Sequence, residues 1–314
     1  LVTLEHRSSG EIVMKSHSSG DITSGEAGRI VEELKKVIHL DGVSIYPGVA
    51  YRHLLVWRNG PGEVATIPPH DVLDQNMAEY LNDPGLTRIC DLIRASWVVL
   101  TAHEVNKKRR SRGLKEANSI WLWGQGKRPK IPRFEEKFGL KGGVISAVDL
   151  LKGIGIYAGL EPLAVPGATG YLDTNFLGKA EKALKALERL DFVFVHVEAP
   201  DEAGHSGNPA EKIQAIEAFD EKVVGPIMTG LSRFKDYRLM VVSDHLTPIS
   251  KRTHTADPTP FAWAAKEELG GQSAVGEFTE TAAKSSGLFY ERGYDLMPDF
   301  LGEGSPTGST KGSL

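Results

Sequence analysis

The order of apolar and polar positions divides the chain into two stretches of different character. In the first, Leu1–Leu4 and Glu11–Met14 flank the turn residues Ser8-Ser9-Gly10 and predict a pair of short strands. Ala27, Ile30, Val31, Leu34 and Ile38 recur at helical spacing, which predicts a helix over Gly25–Ile38 with Ser24 as its N-cap. Val43–Tyr46 and His53–Trp57 predict a second strand pair around Pro47-Gly48. Leu86–Ser96 reads as a helix and Trp97–Thr101 as a strand. From Asn118 onward strands alternate with helices. Strands are predicted at Ser119–Trp123, Pro162–Val165, Phe192–Val197 and about 238–243, and helices at Val144–Tyr157, Leu177–Leu190 and about 209–231. In Leu177–Leu190 the pattern turns Ala180, Ala183, Leu184 and Leu187 inward and Lys179, Lys182 and Glu188 outward. Strands separated by helices of this length predict parallel βαβ units. The expected fold class is α/β, with a mixed-sheet domain over 1–115, a parallel-sheet domain over 116–301 and a flexible Gly/Ser/Thr-rich tail over 302–314.

One stretch changes this from a fold to a chemistry. The apolar run Phe192–Val197 breaks into a segment punctuated by proline and glycine that carries Asp201 and His205. The next predicted strand leads directly into Asp244 and His245, and His254 follows in an irregular loop. In parallel α/β sheets ligands collect at the carboxyl ends of strands. Two such ends, expected to be neighbours in one sheet, therefore aim two Asp and three His at one place. Mixed imidazole and carboxylate donors suit Zn, Mn or Fe, whereas Ca and Mg favour oxygen alone. A single ion is usually satisfied by three or four protein ligands, so five donors suggest two ions. His6, His39 and His103 have no such context, and His196 is expected to be buried and hydrogen-bonded.

Composition narrows the partners. The 314 residues are 40% hydrophobic and 25% charged with a net charge of −4, which gives no bulk attraction to nucleic acid or anionic membrane. No apolar run approaches the length of a spanning helix, and the single cysteine, Cys90, cannot form a disulfide within the chain. A cytoplasmic setting is the expectation. The basic run Lys107-Lys108-Arg109-Arg110-Ser111-Arg112 is either a solvated helix face or the source of a phosphate clamp. It lacks interleaved aromatics for a nucleic-acid site.

The segments VEAPDEAGHSGNPAEKIQAIEAFDEKVVGPI, VVSDHLTPISKRTHTADPTPFAWA and GLKGGVISAVDLLKGIGIYAGLE resemble the archaeal-type cofactor-independent phosphoglycerate mutases of the alkaline phosphatase superfamily. SHSSGDI, YRHLLVW and ANSIWLWGQGKRPKIPRFEEKFG resemble the bacterial branch of the same family, some members of which carry a proposed homoserine kinase label. The resemblance implies a phosphatase-like catalytic domain interrupted by a smaller α/β insertion domain, here residues 1–115, with a hinge near 110–120. It implies that Asp201, His205 and His254 hold one divalent ion, Mn or Zn, and that Asp244 and His245 help hold a second. No bisphosphoglycerate would be needed. The substrate would be phosphoglycerate, gripped by Arg52 or, less directly, by Arg109 or Arg110. The family's first metal-binding aspartate and its nucleophilic serine have no match in this chain. Both would precede Leu1, so an N-terminally incomplete copy is expected and Thr174 is expected to be a turn residue or cap. Competing expectations are a phosphotransferase of the same fold on another small hydroxy substrate and an inactive metal-binding remnant. No nucleotide-binding loop is visible to favour ATP.

Overall fold

The computed structural model describes residues 1–38, 40–269 and 276–302. His39 and the tail beyond Gly302 lie outside the described residues. The chain forms two compact units, Leu1–Arg128 and Pro129–Leu314. The first therefore extends past residue 115. The segment expected to hinge belongs inside it, because Asn106 donates to the carbonyl of Ala117 and accepts from its N–H, and Val2 bridges Ser119.

The first unit contains, in chain order, β1 (Thr3–His6), β2 (Ile12–Ser16), α1 (Ser24–Val37), β3 (Val43–Pro47), β4 (His53–Trp57), α2 (Ala78–Leu81), α3 (Thr87–Ala102) and α4 (Glu104–Ser111). β1 pairs antiparallel with β2 and β3 with β4. Helix α1 starts one residue earlier than its periodicity suggests. Thr23, with extended backbone, accepts from the Glu26 N–H, and the Glu26 carboxylate accepts from the Thr23 N–H in a capping box. Ser24 instead accepts from the N–H of Ala50. Trp97–Thr101 is not a strand but the last turns of α3. Ile89, Ile93, Ser96 and Leu100 are all buried at helical spacing, and that continuous buried stripe outweighs the β-preference of Val98 and Val99. Ser119–Trp123 contributes only an isolated bridge to Val2. Met14, Ile30, Leu34, Ile93 and Leu100 are at the centre of one core.

The second unit continues with α5 (Phe134–Phe138), β5 (Gly142–Ile145), α6 (Asp149–Tyr157), β6 (Glu161–Pro162), α7 (Phe176–Ala186), β7 (Phe192–Val195), α8 (Ala199–Ser206), α9 (Pro209–Phe219), α10 (Gly225–Leu231), β8 (Arg238–Val242), β9 (Phe261–Ala265), α11 (Glu280–Ser285) and α12 (Leu296–Leu301). One π-turn, Asp220–Val224, joins α9 to α10 into the long helical run expected there. β5 lies between β6 and β7 in a parallel sheet. The apolar stretch from Val144 divides differently from the helix expected of it. Val144 and Ile145 end the buried central strand, Ser146 accepts from the N–H of Val148 in a turn, and α6 starts at Asp149. Periodicity cannot separate a buried strand from a buried helix in a short apolar run. β8 is a second departure. It pairs antiparallel with β9 rather than lying hydrogen-bonded beside β7. Among the described residues no helix is long and apolar enough to cross a membrane.

Two cations are inside where the pattern put them outside or free. Lys179 is fully buried on the face of α7 that carries Phe176, Ala183 and Ala186, and its ammonium donates to the carbonyl of His196 at 3.1 Å. Arg109 is also buried. It donates to the carbonyls of Lys115, Ser19 and Gly20 and pairs with Glu26 at 2.8 Å, so its guanidinium is committed to holding the first unit together. Arg110 forms an exposed two-point pair with Glu116. Replacing Arg109 by Ala leaves a carboxylate and three carbonyls without their donor, and urea unfolding is expected to show a loss of about 3–5 kcal/mol. Arg110→Ala in the same assay is expected to change little, because that pair is in water.

Candidate metal centre

Where β7 ends, the chain passes through His196 and Glu198 and enters α8 at Ala199-Pro200, proline being tolerated in a first helical turn. Asp201 and His205 are thus on a helix, not a loop, and their four-residue spacing puts both on one face. Their nearest atoms are 3.3 Å apart. α8 ends at Gly207, whose φ of +74° suits a left-handed cap. His205 donates from Nδ1 to the carbonyl of Arg252 at 3.0 Å, which leaves Nε2 as its lone-pair nitrogen. Arg252 is in the loop that carries His254.

After β8, Asp244 and His245 follow in an irregular segment whose Leu246 bridges Thr255, tying this segment to the His254 loop. Thr247 is buried, and its hydroxyl donates to Asp201 Oδ1. Lys212 on α9 donates to the Thr247 carbonyl at 2.6 Å. Gly204 marks how near α8 comes. A Cβ there would be 2.6 Å from the Thr247 carbonyl oxygen and 2.9 Å from the Lys212 ammonium.

These ties gather three of the other four expected donors around Asp201. His205 Nε2 is 3.0 Å from His254 Nε2, and His254 Nε2 is 3.5 Å from Asp201 Oδ1. His245 Nδ1 is 3.9 Å from the same oxygen, and the rings of His245 and His254 stack at 3.8 Å. Asp201, His245 and His254 offer ligand atoms that all fall within 4.8 Å of one another. Asp244 is more exposed and meets the group only through His245, at 3.5 Å from its Nε2. Donors about 2.1 Å from a tetrahedral ion are about 3.4 Å from each other. The observed separations bracket that value, and two imidazole nitrogens facing each other beside a carboxylate are a donor set that a divalent cation satisfies. The residues present therefore fit the group their chemistry implies.

Charge nearby points the same way. Burial first, then the charges of Asp201, Glu202 and Asp244, push the Glu198 carboxyl above its ordinary range. His196 is half-buried, with Nδ1 3.2 Å from Ser146 Oγ and Nε2 3.4 Å from Glu198, and burial lowers its pKa. Thr247 and Lys212 were not among the expected site residues, and Lys179 was expected to face outward. Only the hydroxyl two residues after His245 carried any local signal.

In the first unit Arg52 is exposed and lies 4.9 Å over the ring of Tyr51. Tyr51 meets His17 edge-on at 5.5 Å, His17 meets His70 at 6.2 Å, and His70 meets Trp123 at 5.4 Å. Burial, and then the charge of His70, hold His17 below its usual pKa, with Arg52 adding to the effect. Thr174 is a turn residue, as expected, accepting from the N–H of Thr169.

A family model described as the Metalloenzyme superfamily matches residues 41–289. A probable 2,3-bisphosphoglycerate-independent phosphoglycerate mutase of Geobacter sulfurreducens is 47% identical over 293 residues, covering 93% of this chain and 73% of that protein. A 2,3-bisphosphoglycerate-independent phosphoglycerate mutase of Methanothrix thermoacetophila is 48% identical over 287 residues, covering 91% of this chain and 72% of the relative. Among solved structures, a protein of Pyrococcus horikoshii superposes with a TM-score of 0.72 at 25% identity, covering 93% of this chain and 72% of that one. A cofactor-independent phosphoglycerate mutase of Thermoplasma acidophilum gives a TM-score of 0.58 at 23% identity over 96% of this chain and 75% of that one, a likeness of fold.

Two outcomes follow from the packing around this centre. Gly204→Ala is expected to drive α8 away from Thr247 at a cost of about 1–3 kcal/mol. Metal titration should then show weaker binding even at temperatures where circular dichroism reports a folded chain. Burial lowers the Lys179 pKa to about 8 from 10.5. The unfolded chain therefore holds more protons than the native one across that window, and stability rises with pH through it, by roughly 3 kcal/mol in total. Urea unfolding of the wild type against Lys179→Met should show this rise only when the lysine is present.

Proposed function

The chain belongs to the Metalloenzyme superfamily and, within it, to the 2,3-bisphosphoglycerate-independent phosphoglycerate mutases, and on that basis we propose that it serves the interconversion of 3-phosphoglycerate and 2-phosphoglycerate. The observation that carries this reading is the convergence of Asp201, His205, His245 and His254 at the spacing of metal ligands. Asp201, His205 and His254 would hold one divalent ion, Mn or Zn, and Asp244 and His245 would help hold the second. When bound, the ions neutralise phosphoryl charge and lower the pKa of an attacking hydroxyl.

The reaction on this reading proceeds through a phosphoserine, with the phosphoryl group returned to the other hydroxyl of glycerate. The hydroxyl that does touch the cluster, Thr247, is committed to Asp201 and is not an available nucleophile. Arg52, exposed over the ring of Tyr51, is the candidate for holding the glycerate carboxylate, since a guanidinium fork matches a carboxylate in two-point geometry. Arg109 does not fit this role because it is buried with four of its five N–H donors engaged, nor does Arg110, which Glu116 occupies. Holding glycerate firmly matters, because release or water entry would convert transfer into hydrolysis.

The test is a coupled assay of the full-length protein for 2-phosphoglycerate formation without added bisphosphoglycerate. Turnover is expected to vanish after chelation and to return with Mn²⁺ or Zn²⁺, and Asp201→Asn is expected to remain inactive after metal is restored. Turnover that ignores chelation, or ATP-dependent phosphorylation of homoserine with no mutase activity, would refute the proposal.

A further inference from the structure

Thr247 holds a position that the metal-ligand set alone does not explain. It is buried, and its hydroxyl touches two of the candidate ligands at once: Asp201 at Oδ1 and His245 at Nδ1, the latter at 3.3 Å. A threonine hydroxyl has one proton to give. A carboxylate can only accept, so that proton goes to Asp201. The contact with His245 is then favourable only if the imidazole is the donor, with its proton on Nδ1.

We infer that Thr247 is a positioning residue that sets the tautomer of His245 and thereby divides the cluster into two cation sites. This rests on the metal-centre reading above. With Nδ1 protonated, the lone pair of His245 is on Nε2, the nitrogen 3.5 Å from Asp244 Oδ2. His245 then faces away from Asp201 as a ligand and joins Asp244. The proximity of His245 Nδ1 to Asp201 and His254 does not make it a ligand of their ion, because that nitrogen carries the proton given to Thr247. The same hydroxyl acts on the other side. With Oδ1 engaged by Thr247, Asp201 presents Oδ2 at 3.3 Å from His205 Nε2, the nitrogen whose lone pair the Arg252 carbonyl has already set.

The position of Thr247 is itself enforced. Its carbonyl is held by the Lys212 ammonium, and its backbone lies against Gly204 with no room for a Cβ between them. The Thr247 methyl also lies against α8, 2.9 Å from where a Cβ of residue 204 would stand, so the side chain as well as the backbone is packed in place. Second-layer groups of this kind typically change metal affinity by about 10- to 100-fold when removed.

The decisive measurement does not need metal. Long-range proton–nitrogen correlation spectra of the metal-free protein, recorded above the imidazole titration range, report which nitrogen of His245 carries the proton. The expected result is Nδ1–H in the wild type and in Thr247→Ser, and Nε2–H or a mixture in Thr247→Val. Titration with Mn²⁺ should show the second equivalent bound about 10- to 100-fold more weakly in Thr247→Val, with the first affected less and Thr247→Ser close to wild type. An Nε2–H tautomer in the wild type overturns the inference, whether or not the valine variant folds. So does a valine variant with an unchanged tautomer and unchanged second-site affinity. An Nδ1–H wild type that binds no divalent ion would refute the metal-centre reading and leave the tautomer assignment standing.

Discussion

In the second unit the controlling constraint is steric: α8 approaches the segment after β8 so closely that residue 204 admits no side chain. That approach brings a helix face carrying Asp201 and His205 against a segment carrying His245, although β7 and β8, the strands that lead to them, belong to different hydrogen-bonded ladders. Neither ladder positions one set of donors against the other. The work is done by a short set of polar ties: Lys212 to the Thr247 carbonyl, His205 to the Arg252 carbonyl, and the bridge from Leu246 to Thr255. Each fixes backbone, and the ligand side chains follow.

Such an arrangement works against the free energy of folding by itself. Three imidazoles and a carboxylate within a few ångströms leave nitrogens facing nitrogens, while Glu198, Glu202 and Asp244 add negative charge nearby. Like charges and facing lone pairs are unfavourable unless a cation lies among them. The buried Lys179, reaching the carbonyl of His196 at the exit of β7, supports the backbone directly upstream of α8. It places a positive charge under the acidic cluster, at the cost of a lowered pKa.

The first unit shows the same residue type put to opposite uses. Arg109 and Arg52 read alike as candidate clamps. One is buried and ties α4 to the loop before α1 through Ser19 and Gly20 and to α1 itself through Glu26. The other is exposed over Tyr51, next to a row of rings that includes His17 and His70. A buried guanidinium with four of its five N–H donors engaged is a strut, and one left on the surface is not committed to the fold in that way. Burial makes the difference, and burial depends on partners far away in the chain.

The α/β class, the helices α1, α7 and α9, and Asp201, His205, Asp244, His245 and His254 as candidate donors were all legible in the sequence. They depend on residue type and local spacing, which a linear pattern preserves. The contacts that bring those donors together across separate strand ladders, the helical rather than loop setting of Asp201 and His205, the inward Lys179 and the end of α3 were not. Each depends on which distant backbone or side chain covers the residue. Sequence alone determined which atoms could bind a metal. Only the tertiary structure decided which of them meet and which hydroxyl orients them, because a carbonyl from residue 252 and a threonine at 247 reach His205 and Asp201 through space and not along the chain.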